Sequence, residues 1–351
     1  MTAPATAATV RVMSAEEIAS RAGGSTSPFV WPQAGSVFAE RAMRLRQLAA
    51  GHAMGDFLVF MAALAQAQQD ALGVLSAGTA LPLPDAAAID RAATEGRPPL
   101  AAADWPRDPR WHEVLRQIVA ALQPAAPAGP ASEALARLAT ADEVLLERQA
   151  DALLHGVMAG LDLATAPVVA AALQVTWTHL AIELERRHAQ RGERHTQPIG
   201  RLDDRGICPC CGSRPVASIT RSAGESTGQR YLHCGLCNLQ WHLERGKCTH
   251  CGGFEKLAYL SLDHPDASDQ GDEGSQRAAK ASLQAETCDD CGHYLKIMHS
   301  DRDPFVEPVA DDLASLTLDL LVADTGKQRH GVNLLLLFGE PEEPPPDPGA
   351  P

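Results

Sequence analysis

Eight of the nine cysteines stand in pairs of the form Cys-x-x-Cys, which is a spacing typical of metal-binding turns. A tight turn at such a pair aims two sulfurs at one point, and its backbone N–H groups can donate to the thiolates. Gly212, Gly252 and Gly292 directly follow three of the pairs and permit the positive φ that the turn needs. Two pairs supply four sulfurs in a tetrahedron, which suits zinc or a single iron ion. The spacing predicts two mononuclear metal sites, built from Cys208, Cys211, Cys234, Cys237, Cys248, Cys251, Cys288 and Cys291.

The order of the four pairs allows two arrangements. In sequential pairing the first pair joins the second and the third joins the fourth, whereas interleaved pairing joins first with third and second with fourth. The intervals from Cys211 to Cys234 and from Cys251 to Cys288 resemble those of two-pair sites, so we expect sequential pairing. Four protein sulfurs close the coordination sphere, and this disfavours hydrolytic metal catalysis.

The ninth cysteine, Cys210, lies between the two ligands of the first pair. We expect a free thiol at a spacer position, while a reactive thiol and an alternative ligand remain open. An odd number of cysteines excludes a fully paired intramolecular disulfide framework.

Aromatic and polar residues surround the second pair. They could face a partner or pack over the cysteine turns and support the ligands by hydrogen bonds; they are Arg230, Tyr231, His233 and Trp241. Because eight sulfurs are better placed, the nearby histidines are expected to be hydrogen-bond donors or surface residues rather than ligands. These are His233, His242, His250 and His293.

Charge and composition exclude several classes of protein. The net charge of −14 argues against a protein that wraps nucleic acid or lies on an anionic membrane. Residues 1–20 lack the pattern of a secretory signal, and no window reaches 18 apolar residues free of charge, so we expect a cytoplasmic protein without membrane insertion. Phosphate-binding loops, dinucleotide fingerprints and nucleophile elbows are absent from the sequence, and no residue is predicted to be catalytic.

The cysteines are confined to the second half of the chain, and apolar residues recur at helical spacing before them. Residues 36–72 predict two helices joined near His52. Further helical patterns cover 109–123, 132–158 and 165–191, whereas 76–108 reads as a long connection.

These patterns predict an α+β protein with two main parts. The expected segments are a mostly irregular stretch at 1–35, an α-helical domain at 36–200, a metal-binding region at 201–338 with one C-terminal helix at 311–324, and a disordered Pro-rich tail at 339–351.

The cysteine region resembles the formate dehydrogenase accessory protein of bacteria. The resemblance is carried by CPCCGSRPVASI (208–219), GQRYLHCGLCNLQWHLERGKCTHCG (228–252), AETCDDCGHYLKI (285–297) and DPFVEPVADDLASLTLDLL (303–321). Residues 38–68 also look like the helical domain of that family. The Pro-rich tail and Cys210 are not part of the pattern.

The resemblance implies a cytoplasmic maturation factor that is not itself an enzyme. Such a factor is needed for an active respiratory formate dehydrogenase and contacts its catalytic subunit before export. The resemblance also implies two tandem rubredoxin-like iron sites, with the eight paired cysteines as ligands and zinc as the alternative metal. Two other functions remain open, namely a rubredoxin-like electron carrier and a zinc-ribbon module that binds a protein or nucleic acid.

Overall fold

The first part of the chain is helical. The computed structural model describes residues 27–190, 199–200, 202–223, 226–262 and 280–337. Within the first of these stretches the helices are α1 (Val37–Ala49), α2 (Gly55–Ala77), α3 (Ala86–Thr94), α4 (Arg110–Leu122), α5 (Pro130–Thr140), α6 (Glu143–His155) and α7 (Ala166–Gln190). The predicted helical domain is therefore confirmed, including the turn near His52 between α1 and α2.

Two details of the helical part differ from the prediction. The pattern at 132–158 is two helices, because Asp142 begins α6 by accepting a hydrogen bond from the backbone N–H of Leu145 at 2.7 Å. The connection at 76–108 contains α3, where Asp85 accepts from the N–H of Ala88 at 2.7 Å in the same way. Short capped helices carry too few periodic residues to stand out from a sequence rich in alanine and proline.

The second part of the chain forms one sheet. Its strands are β1 (Phe29–Val30), β2 (Pro215–Ala223), β3 (Ser226–Cys234), β4 (Gln240–His242), β5 (Leu257–Leu260), β6 (Leu283–Cys288), β7 (His293–His299) and β8 (Gln328–Arg329). The order is β1-β4-β3-β2-β7-β6-β5, and β8 also pairs with β7.

The sheet contains two tandem copies of one unit. In each copy a cysteine pair precedes an antiparallel three-stranded meander, and the second strand ends at the first cysteine of the next pair. The copies are β2-β3-β4 and β5-β6-β7. They join where β2 lies parallel to β7, with Ile219 opposite Met298. The predicted tandem arrangement of two cysteine-turn sites is confirmed.

A single core connects the helices to the first of these copies. The α7 helix is buried along most of its length, and Trp177 donates its indole N–H to the carbonyl of Leu100 at 3.1 Å. The same core contains Cys208, Cys210, Cys211, Cys234 and Cys237. The α2 and α7 helices are long and apolar enough to cross a membrane by composition, but α7 is mostly enclosed and α2 half enclosed by the protein.

The predicted C-terminal helix at 311–324 is wrong as a single element. The structure has α8 (Pro308–Ala314) and α9 (Leu316–Asp324), separated at Ser315. The carbonyl of Asp312 accepts a hydrogen bond from Nζ of the buried Lys296 at 2.8 Å, and the hydroxyl of Ser315 bonds the same ammonium at 2.9 Å. This cation lies where a continuous helix would close its own backbone bond.

The segment 1–35, predicted to be mostly irregular, contributes one short strand. Within the segment 1–35, the pair of residues Phe29–Val30 joins the sheet as β1. Residues 1–26 and the predicted disordered tail at 339–351 lie outside the described residues.

Candidate metal centres

The first four-cysteine cluster, called site 1, is completely buried. It consists of Cys208, Cys211, Cys234 and Cys237, whose sulfurs all lie within 4.8 Å of one another. The Sγ···Sγ distance is 3.6 Å from Cys208 to Cys237 and 3.4 Å from Cys211 to Cys234. Four sulfurs about 2.3 Å from a tetrahedral zinc ion would lie about 3.8 Å apart. The cluster could therefore hold one metal ion with little rearrangement.

The second cluster, called site 2, is open to solvent on one side. It consists of Cys248, Cys251, Cys288 and Cys291, again within 4.8 Å. The Sγ···Sγ distance is 3.6 Å from Cys248 to Cys291 and 3.8 Å from Cys251 to Cys288. Cys251 is exposed and Cys291 half-buried, unlike any cysteine of site 1. Sequential pairing of the cysteine turns is confirmed by these two groups.

Local backbone geometry brings each pair of sulfurs together. The N–H of Gly212 bonds the carbonyl of Cys208 at 2.8 Å, and Gly252 and Gly292 close equivalent turns at 3.0 Å. All three glycines have positive φ, between 72° and 77°. Within the second pair, the N–H groups of Leu236 and Cys237 donate to Sγ of Cys234 at 3.3 Å. Such bonds stabilise a thiolate.

The turn at the second pair ends in asparagine instead of glycine. Asn238 adopts φ 59°, and it is the one non-glycine residue with positive φ within the described ranges. Its Oδ1 accepts from Nη2 of Arg41 at 2.7 Å, and its Nδ2 donates to Oγ1 of Thr178 at 2.8 Å. Asn238 therefore ties site 1 to α1 and α7.

Further contacts fix site 1 against the helices. Gln174, one turn before Thr178 on α7, donates to the carbonyl of Gly235 at 2.8 Å. At the first cysteine turn, the N–H groups of Leu100 and Ala102 bond the carbonyls of Cys210 and Cys211 at 3.0 and 2.8 Å. Both cysteine turns of site 1 are thus part of the interface with the helical domain.

Burial and hydrogen bonds between sulfurs shift the pKa values of the ligand thiols in opposite directions. Burial raises the pKa of Cys208 well above the ordinary value, and burial raises the pKa of Cys248 to about 12. Burial alone would raise the pKa of Cys211, but hydrogen bonds with Cys208 and the other sulfurs hold that pKa well below the ordinary value. Binding of a metal to the thiolates would release any proton that a ligand sulfur carries.

Cys210 is a free thiol that is completely buried. A hydrogen bond with Cys237 lowers the pKa of Cys210, but burial raises it, and the pKa lies above the ordinary value. A reactive surface thiol, which the sequence left open, does not fit this position, because a nucleophilic cysteine needs a low pKa and access.

None of the four residues around the second pair forms a partner surface, because all are buried. Arg230 pairs with Glu286 at 2.8 Å and donates to Oγ1 of Thr249 at 2.8 Å, so it joins the two copies of the repeated unit. Their other contacts are also internal: the hydroxyl of Tyr231 bonds the carbonyl of Ser27, the imidazole of His233 bonds Asn238, and the indole of Trp241 bonds the carbonyl of Arg205.

Sequence reasoning missed three residues that the structure places beside the sites. Arg41 and Asn238 meet across the core at site 1, and His330 lies near site 2. The asparagine in CGLCN had a signal, because glycine follows the other three pairs and asparagine is the residue that next best tolerates positive φ. Arg41 and His330 had no such signal in the sequence, because each is distant in sequence from the cysteine turn near which it lies.

The fold and the two clusters define an α+β protein with two candidate tetrathiolate metal sites. Three family descriptions match the chain: "FdhE, N-terminal" at residues 26–193, "FdhE, central domain" at 207–245 and "FdhE, C-terminal domain" at 247–336. The chain belongs to the FdhE family.

Similar proteins agree with this membership over nearly the whole chain. A "Protein FdhE homolog" of Klebsiella pneumoniae is 37% identical over 95% of this chain and 99% of its own. A "Protein FdhE" of Escherichia coli is 36% identical over 95% and 99%. The crystal structure of the FdhE protein from Pseudomonas aeruginosa matches with a TM-score of 0.70 and 38% identity, covering 89% of this chain and 99% of that chain.

Proposed function

We propose that this protein is a non-catalytic accessory factor for the maturation of a respiratory formate dehydrogenase. It acts in the cytoplasm and binds the catalytic subunit before export. The observation that carries the proposal is the pair of four-sulfur clusters in an FdhE-family chain. Four protein ligands leave no position for a substrate at a metal, which fits a binding role better than a catalytic one.

The eight paired cysteines are proposed as the ligands of two mononuclear iron sites. Four close sulfurs at each site are a donor set that suits tetrahedral iron, and zinc is the alternative for the same set. Iron bound there would supply a one-electron change of oxidation state, whereas zinc would supply stability alone.

The different environments of the two sites support a division of roles. Site 1 lies in the core and fixes the sheet to α1 and α7 through Asn238. Site 2 has an exposed sulfur at Cys251, and exposed Phe254 follows it closely. The face around site 2 is therefore the proposed contact for the client, and site 1 the proposed support.

Capture of the catalytic subunit tests the proposed function. Tagged protein should retain the formate dehydrogenase catalytic subunit from the same organism, either before or after its cofactor is inserted. The catalytic subunit of an unrelated exported oxidoreductase serves as the control and should wash off. A complex with neither form of the formate dehydrogenase subunit would overturn the proposal.

An electron carrier is the second candidate, and the exposure of Cys251 favours it, because an open thiolate shortens the path for an electron. This role requires iron and reversible bleaching on reduction. Colourless protein that carries only zinc when purified without oxygen would remove it.

A further inference from the structure

Three histidines from separate segments meet beside site 2. His250 lies within the third cysteine turn, His293 begins β7, and His330 follows β8. The rings of His250 and His293 stack with centroids 3.7 Å apart and an angle of 7° between their planes. The ring of His330 lies edge-on to both, at 5.2 Å from His250 and 6.4 Å from His293. We call this group the histidine cluster.

His330 is buried without a hydrogen bond of normal geometry. Only 6% of the residue is exposed, and neither ring nitrogen has a partner among the described residues. A contact of the ring with the backbone of Gly206 would still leave one nitrogen free. Buried polar atoms are rarely left unpaired, and such an atom often indicates a missing water molecule or ion.

A small cavity lies between the three rings and site 2. Its volume is about 10 Å³, and its lining includes His250, His293, His330, Cys248 and Glu286. That volume is enough for one water-sized particle, and several of the lining groups can donate an electron pair. The carboxylate of Glu286 is already held by Arg230 and the hydroxyl of Tyr259. Nδ1 of His293 bonds the carbonyl of Cys291 at 2.9 Å, so its Nε2 and the imidazoles of His250 and His330 are the available donors.

The histidine cluster also shares a sulfur with site 2. Ligand atoms of His250 and His293 and Sγ of Cys291 lie within 4.8 Å of one another. We propose that the histidine cluster is a third metal site, which binds a divalent transition ion such as zinc or cobalt and uses Cys291 as a bridging ligand to site 2. Imidazole and thiolate together suit such ions and disfavour magnesium and calcium.

Metal binding requires one movement that the structure permits. Parallel rings point their lone pairs side by side, so one ring of the stacked pair must turn to share an ion with the other. His250 is exposed and can rotate, whereas His330 is held by burial. The exposed ring therefore closes the site over the ion.

Cobalt titration of protein that already carries zinc tests the proposal. The proposal assumes metal at site 2, so the protein is first loaded with only two equivalents of zinc, which the two four-sulfur clusters take up before the histidine cluster. Cobalt does not displace zinc from thiolates, because zinc binds more tightly. The untagged wild-type protein should bind one further equivalent of cobalt and show a near-ultraviolet band from thiolate coordination by Cys291.

Two variants make the result specific. His250→Asn combined with His293→Asn should weaken cobalt binding at least tenfold and keep two equivalents of zinc. His155→Asn, which changes an exposed histidine of α6, should leave cobalt binding unchanged. No further cobalt in the wild type that carries two equivalents of zinc, or equal cobalt affinity in the double variant, would each overturn the third site. None of these results depends on capture of the catalytic subunit.

Discussion

Asn238 performs two tasks at one position, whereas each of the three equivalent glycines performs one. Like them it provides the positive φ that closes a cysteine turn. In addition, its amide accepts a hydrogen bond from the buried guanidinium of Arg41 and donates one to the hydroxyl of Thr178. A glycine here would keep the turn and leave a buried cation with one partner fewer.

Two substitutions separate these tasks. Asn238→Gly should lower the free energy of unfolding by about 1–3 kcal/mol, because a buried donor loses its acceptor. Asn238→Ala should cost about 1 kcal/mol more, since alanine is strained at positive φ. Urea unfolding of the metal-loaded proteins measures both. Equal stability of the two variants would show that the backbone conformation contributes nothing.

At the residue scale, local patterns were predictable and distant contacts were not. The four cysteine turns could be read from the sequence because each is closed within a few residues by its own backbone, as at Cys208 and Gly212. The burial of Arg230 and Trp241 could not be predicted from the sequence, because it depends on strands and loops that come together only in the folded sheet.

The break between α8 and α9 depends on a charge that belongs to another element. Lys296 of β7 is completely buried and forms ion pairs with Asp312 at 2.8 Å and Asp319 at 2.6 Å. Residues 311–324 alone have the apolar pattern of one helix, so the sequence predicted one. Lys296 of β7 lies outside the residues that form the helical pattern, so the pattern could not predict the break that this lysine favours.

Removal of this cation should destabilise the C-terminal elements strongly. Lys296→Met leaves two buried carboxylates with fewer partners and should cost about 3–5 kcal/mol. The matched control is Lys327→Met, which breaks an ion pair with the exposed Asp289 and should cost at most about 1 kcal/mol. Guanidinium unfolding of the metal-loaded proteins gives both values. Similar losses in the two variants would contradict the role given to Lys296.

Over the whole molecule, the two copies of the repeated unit have unequal surroundings. The copy with site 1 shares the main core with the helices, whereas the copy with site 2 contributes only Leu295 and Met298 of β7 to the buried residues of that core and also packs on a small second core of Ala285, Tyr294, Leu318 and Val322. The sequence predicted two tandem sites but gave no sign of this inequality, because burial of the first copy comes from α7 and the segment around Leu100.

Unequal burial should make metal release biphasic. A chelator reaches the exposed sulfur of Cys251 directly, but it reaches site 1 only after local unfolding of the core. We expect one equivalent to leave at least about tenfold faster than the other. The Cys288→Ser and Cys291→Ser double variant should lack the fast phase. Release of both metals in one phase would show that the sites open together.

The two-residue strand β1 can pair only after a much later part of the chain has been made. Phe29 pairs with Trp241 and Val30 with Gln240, so partners in this pairing are made more than two hundred residues apart. On the ribosome the helical part emerges first and has to wait for the first cysteine copy before this edge can be covered. Because such long-range pairing is slow to form, we expect β1 to be among the last strands to pair. Until β1 pairs with β4, the outer edge of β4 remains available to other strands.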